Sequence, residues 1–139
     1  MDISALAKHL IKRGSILHSS EFENIDHGKF FVVMGDNEDN LYGFFFINSN
    51  IHSYIQHRQA LLDMQMPIKV QNYPDFLTHD SFLDCHALIT IPKDKLESQF
   101  ADGKAQYKGV LLEEDLNLAL EVVRKSDLYS IHEKQTYFK

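Results

Sequence analysis

The chain has 139 residues, of which 44% are hydrophobic and 24% charged, and its formal net charge is −6. This length and composition predict one globular domain with an apolar core, and the acidic balance disfavours broad, non-specific binding to nucleic acid, which requires a basic surface. The single cysteine, Cys85, excludes an intrachain disulfide and a cysteine-rich zinc site.

The first segment predicts a short helix and no targeting signal. Residues 1–13 are too short and too polar for a signal peptide, and no apolar run in the chain approaches the roughly 20 residues that span a bilayer, so we expect a cytoplasmic protein without a membrane partner. We predict a helix over residues 4–12, because apolar residues recur at helical spacing and Gly14 follows as a natural end. The apolar positions are Ile3, Leu6, Ala7 and Leu10.

The next part of the chain predicts strands joined by turns. A short strand over residues 15–17 and a polar loop over 18–28 lead to a strand over 29–34, whose continuous apolar content predicts burial on both faces. Residues 35–40 have the composition of a turn. A strand over 41–48 then completes a hairpin.

The middle of the chain is less regular. Residues 51–62 fit either a loop followed by a helical turn or an irregular extension of the preceding strand. We predict a short strand over 66–70 and a turn at Tyr73-Pro74, because the residue before a proline avoids helical dihedral angles. Residues 81–91 alternate imperfectly between apolar and polar side chains, which predicts a further strand.

The last third of the chain predicts mainly helix. We expect one helical turn over residues 93–100, a polar loop over 101–108 and the strongest helix over 111–126, where acidic residues begin an apolar stripe and basic residues end it. The tail, 127–139, is aromatic and charged, and either adds an edge strand or is disordered. Short strands bracketed by helices predict a single α+β domain over 1–139 that contains a curled sheet or a small barrel.

No strong catalytic motif occurs in the sequence, so the candidate site residues are polar clusters beside the predicted strands. The first cluster comprises residues 26–29, immediately before the buried strand. His27 can act as a general acid or base near neutral pH, and Lys29 can hold a phosphate as a point charge. The alternative is an ordinary solvated loop.

Two further polar clusters lie at residues 48–50 and 78–81. The amide and hydroxyl side chains of the first can donate hydrogen bonds to an oxyanion or a base, or they simply end the strand in a turn. The second has the residue types of a hydrolase triad, but neighbours along the chain cannot converge on one atom, so we expect either a turn or a pocket-facing His79. The members are Asn48, Ser49 and Asn50 in the first cluster and Thr78, His79, Asp80 and Ser81 in the second.

Asp84 and Cys85 lie within the strand predicted over residues 81–91. A carboxylate in an apolar strand should be paired, hydrogen-bonded or exposed, and Cys85 fits a small buried hydrophobic side chain better than a nucleophile. The chain has eight histidines, but His52 and His57 are five residues apart and do not share a helix face well. We therefore predict no metal site and no cofactor.

Five short segments carry a resemblance to a known family. They are Arg13-Gly14-Ser15-Ile16, Gly28-Lys29-Phe30-Phe31-Val32-Val33, Phe46-Ile47-Asn48-Ser49, Ser81-Phe82-Leu83-Asp84-Cys85 and Gly109-Val110-Leu111. In this order they resemble segments of the bacterial PemK/MazF-type toxins, over residues 13–126. The resemblance implies a small SH3-like, strongly twisted antiparallel β-barrel, with its core over residues 13–92 and with an N-terminal and a C-terminal helix. It also implies a homodimer.

The family resemblance implies an activity as well. Active members cut single-stranded RNA without metal, and attack by a 2′-hydroxyl on the adjacent phosphate requires a proton acceptor, a proton donor and a cation. The chain departs from the family where the catalytic Arg and the Pro after it fall on Phe30 and Phe31. Lys29 is the nearest cation, but alternation along a strand turns it to the face opposite residue 30. His27 and His79 are candidates to replace the missing Arg.

Two functional hypotheses follow from these observations. The first is an endoribonuclease acting on single-stranded RNA, with its catalytic residues in one groove. Its catalytic residues are His27, Lys29, Ser49 and His79, and its substrate-binding residues are Asn48, Asn50, Asp80 and Ser81. The alternative is a non-catalytic module on the same barrel that has lost RNase activity and binds an antitoxin-like protein. In that case exposed aromatic side chains of residues 42–46 and 137–138 form the partner surface.

Overall fold

The computed structural model of the protein describes residues 3–22 and 28–139. Within these residues the fold is α+β. The strands are β1 (Ser15–Ser19), β2 (Lys29–Asp36), β3 (Leu41–Asn48), β4 (Gln65–Ile68), β5 (Ser81–Asp84), β6 (Ile89–Pro92) and β7 (Ala105–Val110). The helices are α1 (Ile3–Leu10), α2 (Ser53–Gln56), α3 (Gln59–Leu62), α4 (Lys93–Ala101), α5 (Glu113–Lys125) and α6 (Ile131–Tyr137). No helix in the described ranges has the length and apolar character needed to cross a bilayer.

The seven strands of the described chain form one antiparallel sheet, with β3 at its centre. The order across the sheet is β4-β5-β3-β2-β1-β7, and β6 also pairs with β3. One side of β3 pairs with β2, whereas the other side pairs first with β6 and then with β5. Among the described residues no ladder joins the edge strands β4 and β7, so closure of the sheet into a barrel stays a prediction.

Both faces of the sheet are apolar, which confirms the burial predicted for β2. Face one carries Ile16, Val32 and Phe45, which are aligned across β1, β2 and β3 and pack with α5 and α6. Face two carries Leu17 and Phe31, which pack with α1 and α4. Burying one such side chain stabilises the fold by about 1.5–3 kcal/mol, so the two faces together account for the position of the sheet between two layers of helix.

The C-terminal segment forms a helix that a capping box begins. The hydroxyl of Ser130 accepts a hydrogen bond from the backbone N–H of Glu133 at 3.1 Å, and the Glu133 carboxylate accepts one from the backbone N–H of Ser130 at 2.9 Å. The expectation of an edge strand or disorder over residues 127–139 is therefore wrong. The Ser-x-x-Glu spacing is the sequence signal that indicates this helix.

Arg13 joins this C-terminal helix to the sheet. Its guanidinium donates hydrogen bonds to three backbone carbonyl oxygens, those of Met34 at 2.7 Å, Lys139 at 2.6 Å and Tyr137 at 3.0 Å. A planar guanidinium presents several donors in a fixed fork, so one side chain ties β2 to the end of α6. The Arg-Gly segment at which the family resemblance begins thus has a structural role in this chain.

Two glycines make room for α6 against the sheet. Gly35 and Gly43 are paired across β2 and β3. A Cβ atom at Gly43 would lie 2.7 Å from the ring of Tyr137, and one at Gly35 would overlap the Tyr137 carbonyl oxygen. Any larger residue at these positions would push the helix away from the sheet.

Several segments differ from the sequence expectations because their structure depends on partners distant in sequence. Residues 101–108 were expected to form a loop, but β7 lies largely within them and pairs with β1. The strand predicted over 81–91 is broken at 85–88 into β5 and β6. In the segment 51–62 two short helices follow a short loop, which agrees with the first of its two predicted alternatives, and α4 is longer than the single turn predicted for it.

The aromatic side chains expected to form an exposed partner surface lie in the core instead. Tyr42, Phe44 and Phe45 are at most 4% exposed, Tyr137 is 8% exposed and Phe138 is fully buried. The proposed aromatic docking surface is therefore wrong, because helices cover both faces of β3. The binding hypothesis loses the feature on which it depended.

Candidate functional site

A group of polar side chains lies on face two of the sheet, and we call it the His86 cluster. It comprises Lys29, Asn48, Gln65, Asp84 and His86. The first four are the first residue of β2, the last of β3, the first of β4 and the last of β5, and His86 lies in the turn after β5. The register places these four residues on one face, since Gln65 is paired with Asp84, and Asp84 lies two residues after Phe82, the partner of Asn48.

The carboxylate of Asp84 is the centre of this cluster. One of its oxygens, Oδ1, accepts hydrogen bonds from Gln65 Nε2 at 2.7 Å and from the His86 backbone N–H at 3.3 Å, and it contacts His86 Nδ1. The residue is only 8% exposed. Of the three alternatives predicted for this carboxylate, paired, hydrogen-bonded or exposed, the structure has it buried and hydrogen-bonded. Its bond to the His86 backbone also ends β5, as an Asx turn does.

Lys29 supplies the positive charge of the cluster. Its ammonium donates to Asn48 Oδ1 and lies 5.2 Å from the centroid of the Phe46 ring. Burial lowers the pKa of Lys29, and the negative charge of Asp84 opposes that shift.

His86 is a partly exposed member of the cluster. Its side chain is 13% exposed, and its ring centroid is 6.3 Å from that of Tyr54. Because a carboxylate only accepts hydrogen bonds, the contact with Asp84 places the proton of a neutral His86 on Nδ1 and leaves Nε2 as an acceptor. A histidine oriented by a carboxylate is suited to proton transfer, and the Lys29 ammonium lies on the same face of the sheet.

A separate cavity of about 190 Å³ lies on the other side of the same strand ends. Ser49, Thr78, His79 and Ser81 line it together with aromatic side chains, and Lys29 also borders it. An adjoining open concavity includes Asn50 and Asp80. Residues from the second and third sequence clusters, 48–50 and 78–81, are therefore brought together in space, while His27 lies outside the described residues.

The ammonium of Lys29 is not directed into this cavity. Phe30 and Ile47 belong to face one, whereas the Lys29 ammonium lies over Phe46 on face two. Alternation along β2 and β3 thus directs the side chains of Lys29 and Asn48 to the face opposite Ser49, as the sequence predicted for Lys29 relative to residue 30. The expected single groove is divided into two sites by the sheet itself.

Within the cavity, the residues of the 78–81 cluster mostly bond to the local backbone. His79 Nδ1 lies 3.0 Å from the Asp80 carbonyl oxygen, and the Ser81 hydroxyl donates to the His79 carbonyl oxygen at 3.2 Å. Asp80 accepts from the backbone N–H of Val70 at 2.9 Å. These bonds are typical of a turn, and no carboxylate contact that would orient His79 as Asp84 orients His86 occurs among the described residues.

Two members of the His86 cluster, Gln65 and His86, were not among the predicted site residues, whereas Asp84 was predicted to be an unusual carboxylate in an apolar strand. The signal available was the Asp-x-His spacing at the end of an apolar strand. Cys85, between them, is fully buried, and burial raises the pKa of its thiol. The prediction that Cys85 is a buried hydrophobic side chain is confirmed.

Comparison with known proteins assigns no family to this arrangement. No protein-family model matches the chain, and no curated protein matches it. In the part of the chain that the structure describes, no group of three or more His, Cys, Asp or Glu side chains is placed to hold a metal ion.

Proposed function

We propose that the protein is a metal-independent endoribonuclease acting on single-stranded RNA, and that the His86 cluster is its catalytic site. The observation that supports this proposal is the Asp84–His86 pair, which lies on the same face of the sheet as the Lys29 ammonium. Cleavage through the 2′-hydroxyl requires a proton acceptor, a proton donor and a cation. The cluster contains side chains for all three roles.

His86 is the proton acceptor in this mechanism. Asp84 holds Nδ1, so Nε2 takes the proton from the 2′-hydroxyl as that oxygen attacks the adjacent phosphorus. The new bond joins the 2′-oxygen to phosphorus, and the bond from phosphorus to the 5′-oxygen breaks. The products are a 2′,3′-cyclic phosphate and a 5′-hydroxyl end.

Lys29 provides the charge and the second proton. Its ammonium stabilises the additional negative charge on the phosphorane. Burial lowers the pKa of Lys29, which makes the ammonium a stronger acid and favours transfer of its proton to the leaving 5′-oxygen. Asn48 orients the ammonium by accepting one of its hydrogen bonds.

The resemblance to PemK/MazF-type toxins is compatible with this proposal if the cation has changed position. Phe30, which stands where the family has its catalytic Arg, packs against Phe76 on face one with ring centroids 4.9 Å apart. Lys29 is its neighbour on the opposite face. We propose a divergent SH3-like fold of that family, active as a homodimer and inhibited by an antitoxin-like protein, and light scattering at increasing concentration tests the dimer.

The proposal is tested with a fluorescent single-stranded RNA oligonucleotide in the presence of EDTA. We expect cleavage by the wild-type protein, no cleavage of the matching DNA and a cyclic phosphate on the product. His86→Ala should lower the rate by about 10²–10⁴-fold. Asp84→Asn should also lower it, because the amide no longer fixes the Nδ1 proton.

The matched control is His79→Ala, which removes an imidazole from the cavity on the opposite face. Unchanged cleavage by this variant, together with loss in His86→Ala, supports the His86 cluster. The reverse result would assign the activity to the cavity with Ser49 and Ser81. Absence of cleavage by the wild-type protein at high enzyme concentration would refute the ribonuclease proposal and favour the non-catalytic binding module.

A further inference from the structure

Three aromatic rings form a continuous series that leads from solvent to the His86 cluster. His52 and Tyr54 are stacked, with centroids 5.8 Å apart and an angle of 20° between their planes. The rings of Tyr54 and His86 are T-shaped, with centroids 6.3 Å apart and an angle of 67° between their planes. The series therefore ends at the imidazole to which we assign the proton transfer.

The position of Tyr54 is determined by the buried residue beside it. Ile55, its neighbour in α2, is fully buried, whereas Tyr54 is 55% exposed. Burial of Ile55 anchors this short helix, so the backbone holds Tyr54 in place while about half of the residue stays exposed and His52 stacks on one face of its ring. A single exposed aromatic side chain is ordinary on a protein surface; the unusual feature of Tyr54 is its contact with His86.

We propose that Tyr54 is a stacking platform for the nucleobase next to the phosphate that is cleaved, an inference that rests on the proposed ribonuclease function. Stacking on an aromatic ring tolerates every base, because every base has a π face. An acidic protein with one lysine in its site gains little affinity from the phosphate backbone. Tyr54 is then a positioning residue that supplies affinity for single strands without selecting a sequence.

The experiment measures binding without cleavage. A fluorescein-labelled single-stranded DNA oligonucleotide lacks the 2′-hydroxyl and cannot be cut by the proposed mechanism, so its fluorescence anisotropy reports binding alone. We expect Tyr54→Leu to weaken binding by roughly fivefold to 150-fold, the range of one base–aromatic stack. Tyr54→Phe should bind like the wild-type protein, because it keeps the ring.

Tyr107→Leu is the matched control. Tyr107 is 37% exposed on β7, at the edge of the sheet opposite β4, and its replacement should leave binding unchanged. Urea unfolding of all three variants establishes that they fold equally well. The logarithm of the affinity should fall with the logarithm of salt concentration with a slope of about −0.7, the value for one neutralised phosphate on a single strand.

The results separate this inference from the ribonuclease proposal. Binding that depends on the Tyr54 ring, in a protein that does not cleave RNA, retains the platform and refutes the catalysis. RNA cleavage with equal binding by Tyr54→Leu and the wild-type protein overturns the platform alone. Failure of the wild-type protein to bind the oligonucleotide, or equal weakening in Tyr107→Leu, also overturns it.

Discussion

Replacement of Arg13 by alanine should loosen the C-terminal helix and lower the stability of the whole domain. The guanidinium bonds to Met34 and Tyr137 are partly buried, whereas the bond to Lys139 is exposed. A hydrogen bond to a charged group contributes about 1.5–3 kcal/mol. Two such bonds, reduced by rehydration of the carbonyl oxygens, give an expected loss of about 2–4 kcal/mol for Arg13→Ala.

The measurement is thermal unfolding followed by circular dichroism. For a chain of 139 residues, a loss of about 2–4 kcal/mol lowers Tm by about 7–14 °C. Arg13→Lys should recover less than half of the loss, because an ammonium lacks the planar fork that reaches several carbonyl oxygens. Lys12→Ala, which removes the same charge from an exposed neighbour, is the control and should change Tm little.

The reasoning would be refuted if Arg13→Ala unfolded at the same temperature as the wild-type protein. Loss of RNA cleavage in Arg13→Ala without loss of stability would be a second contrary result, because it would place Arg13 in the catalytic site. Arg124 supplies an independent comparison, since its single bond to the Phe138 carbonyl oxygen at 2.6 Å predicts a smaller effect of Arg124→Ala.

Three further changes test other parts of the structure. Gly43→Ala should destabilise the fold by about 1–3 kcal/mol through overlap with Tyr137, and in a double-mutant cycle Tyr137→Ala should remove most of that penalty; additive effects in urea unfolding would contradict the overlap. Lys29→Met should abolish RNA cleavage. Because burial lowers the pKa of Lys29 below its ordinary 10.5, the stability of the wild-type protein should rise relative to that of Lys29→Met as the pH increases towards 10.5. Urea unfolding at several alkaline pH values measures this difference. A fall in the stability of the wild-type protein relative to the variant would contradict the prediction. Cys85 should react with a thiol reagent only after unfolding, since burial raises its pKa; rapid reaction of the native protein would show that the core opens there.

Local patterns in the sequence predicted the elements whose residues alternate or repeat regularly. The strand predicted over 41–48 coincides with β3, and the helix predicted over 111–126 contains α5. Both patterns arise from residues close together in the chain, because strand and helix periods determine which side chains share a face. The α+β class follows from the order of these elements.

Other elements depended on partners that no local pattern contains. β7 is polar along most of its length and forms a strand because its backbone pairs with β1. The aromatic residues of β3 gave no indication of which face of the sheet helices would cover. In the structure, helices from both ends of the chain cover both faces. An aromatic residue in a strand is equally compatible with a core and with an interface.

For the candidate site, the sequence by itself singled out Lys29 and Asn48 at the ends of predicted strands, and Asp84 as a carboxylate inside a predicted strand. Only the tertiary structure decided that they share one face with His86, because the strand register places four distant segments side by side. It also decided that Ser49 faces the opposite side from Asn48, since a difference of one residue along the chain reverses the face to which a side chain points, and that Ser49 lines a cavity there with His79.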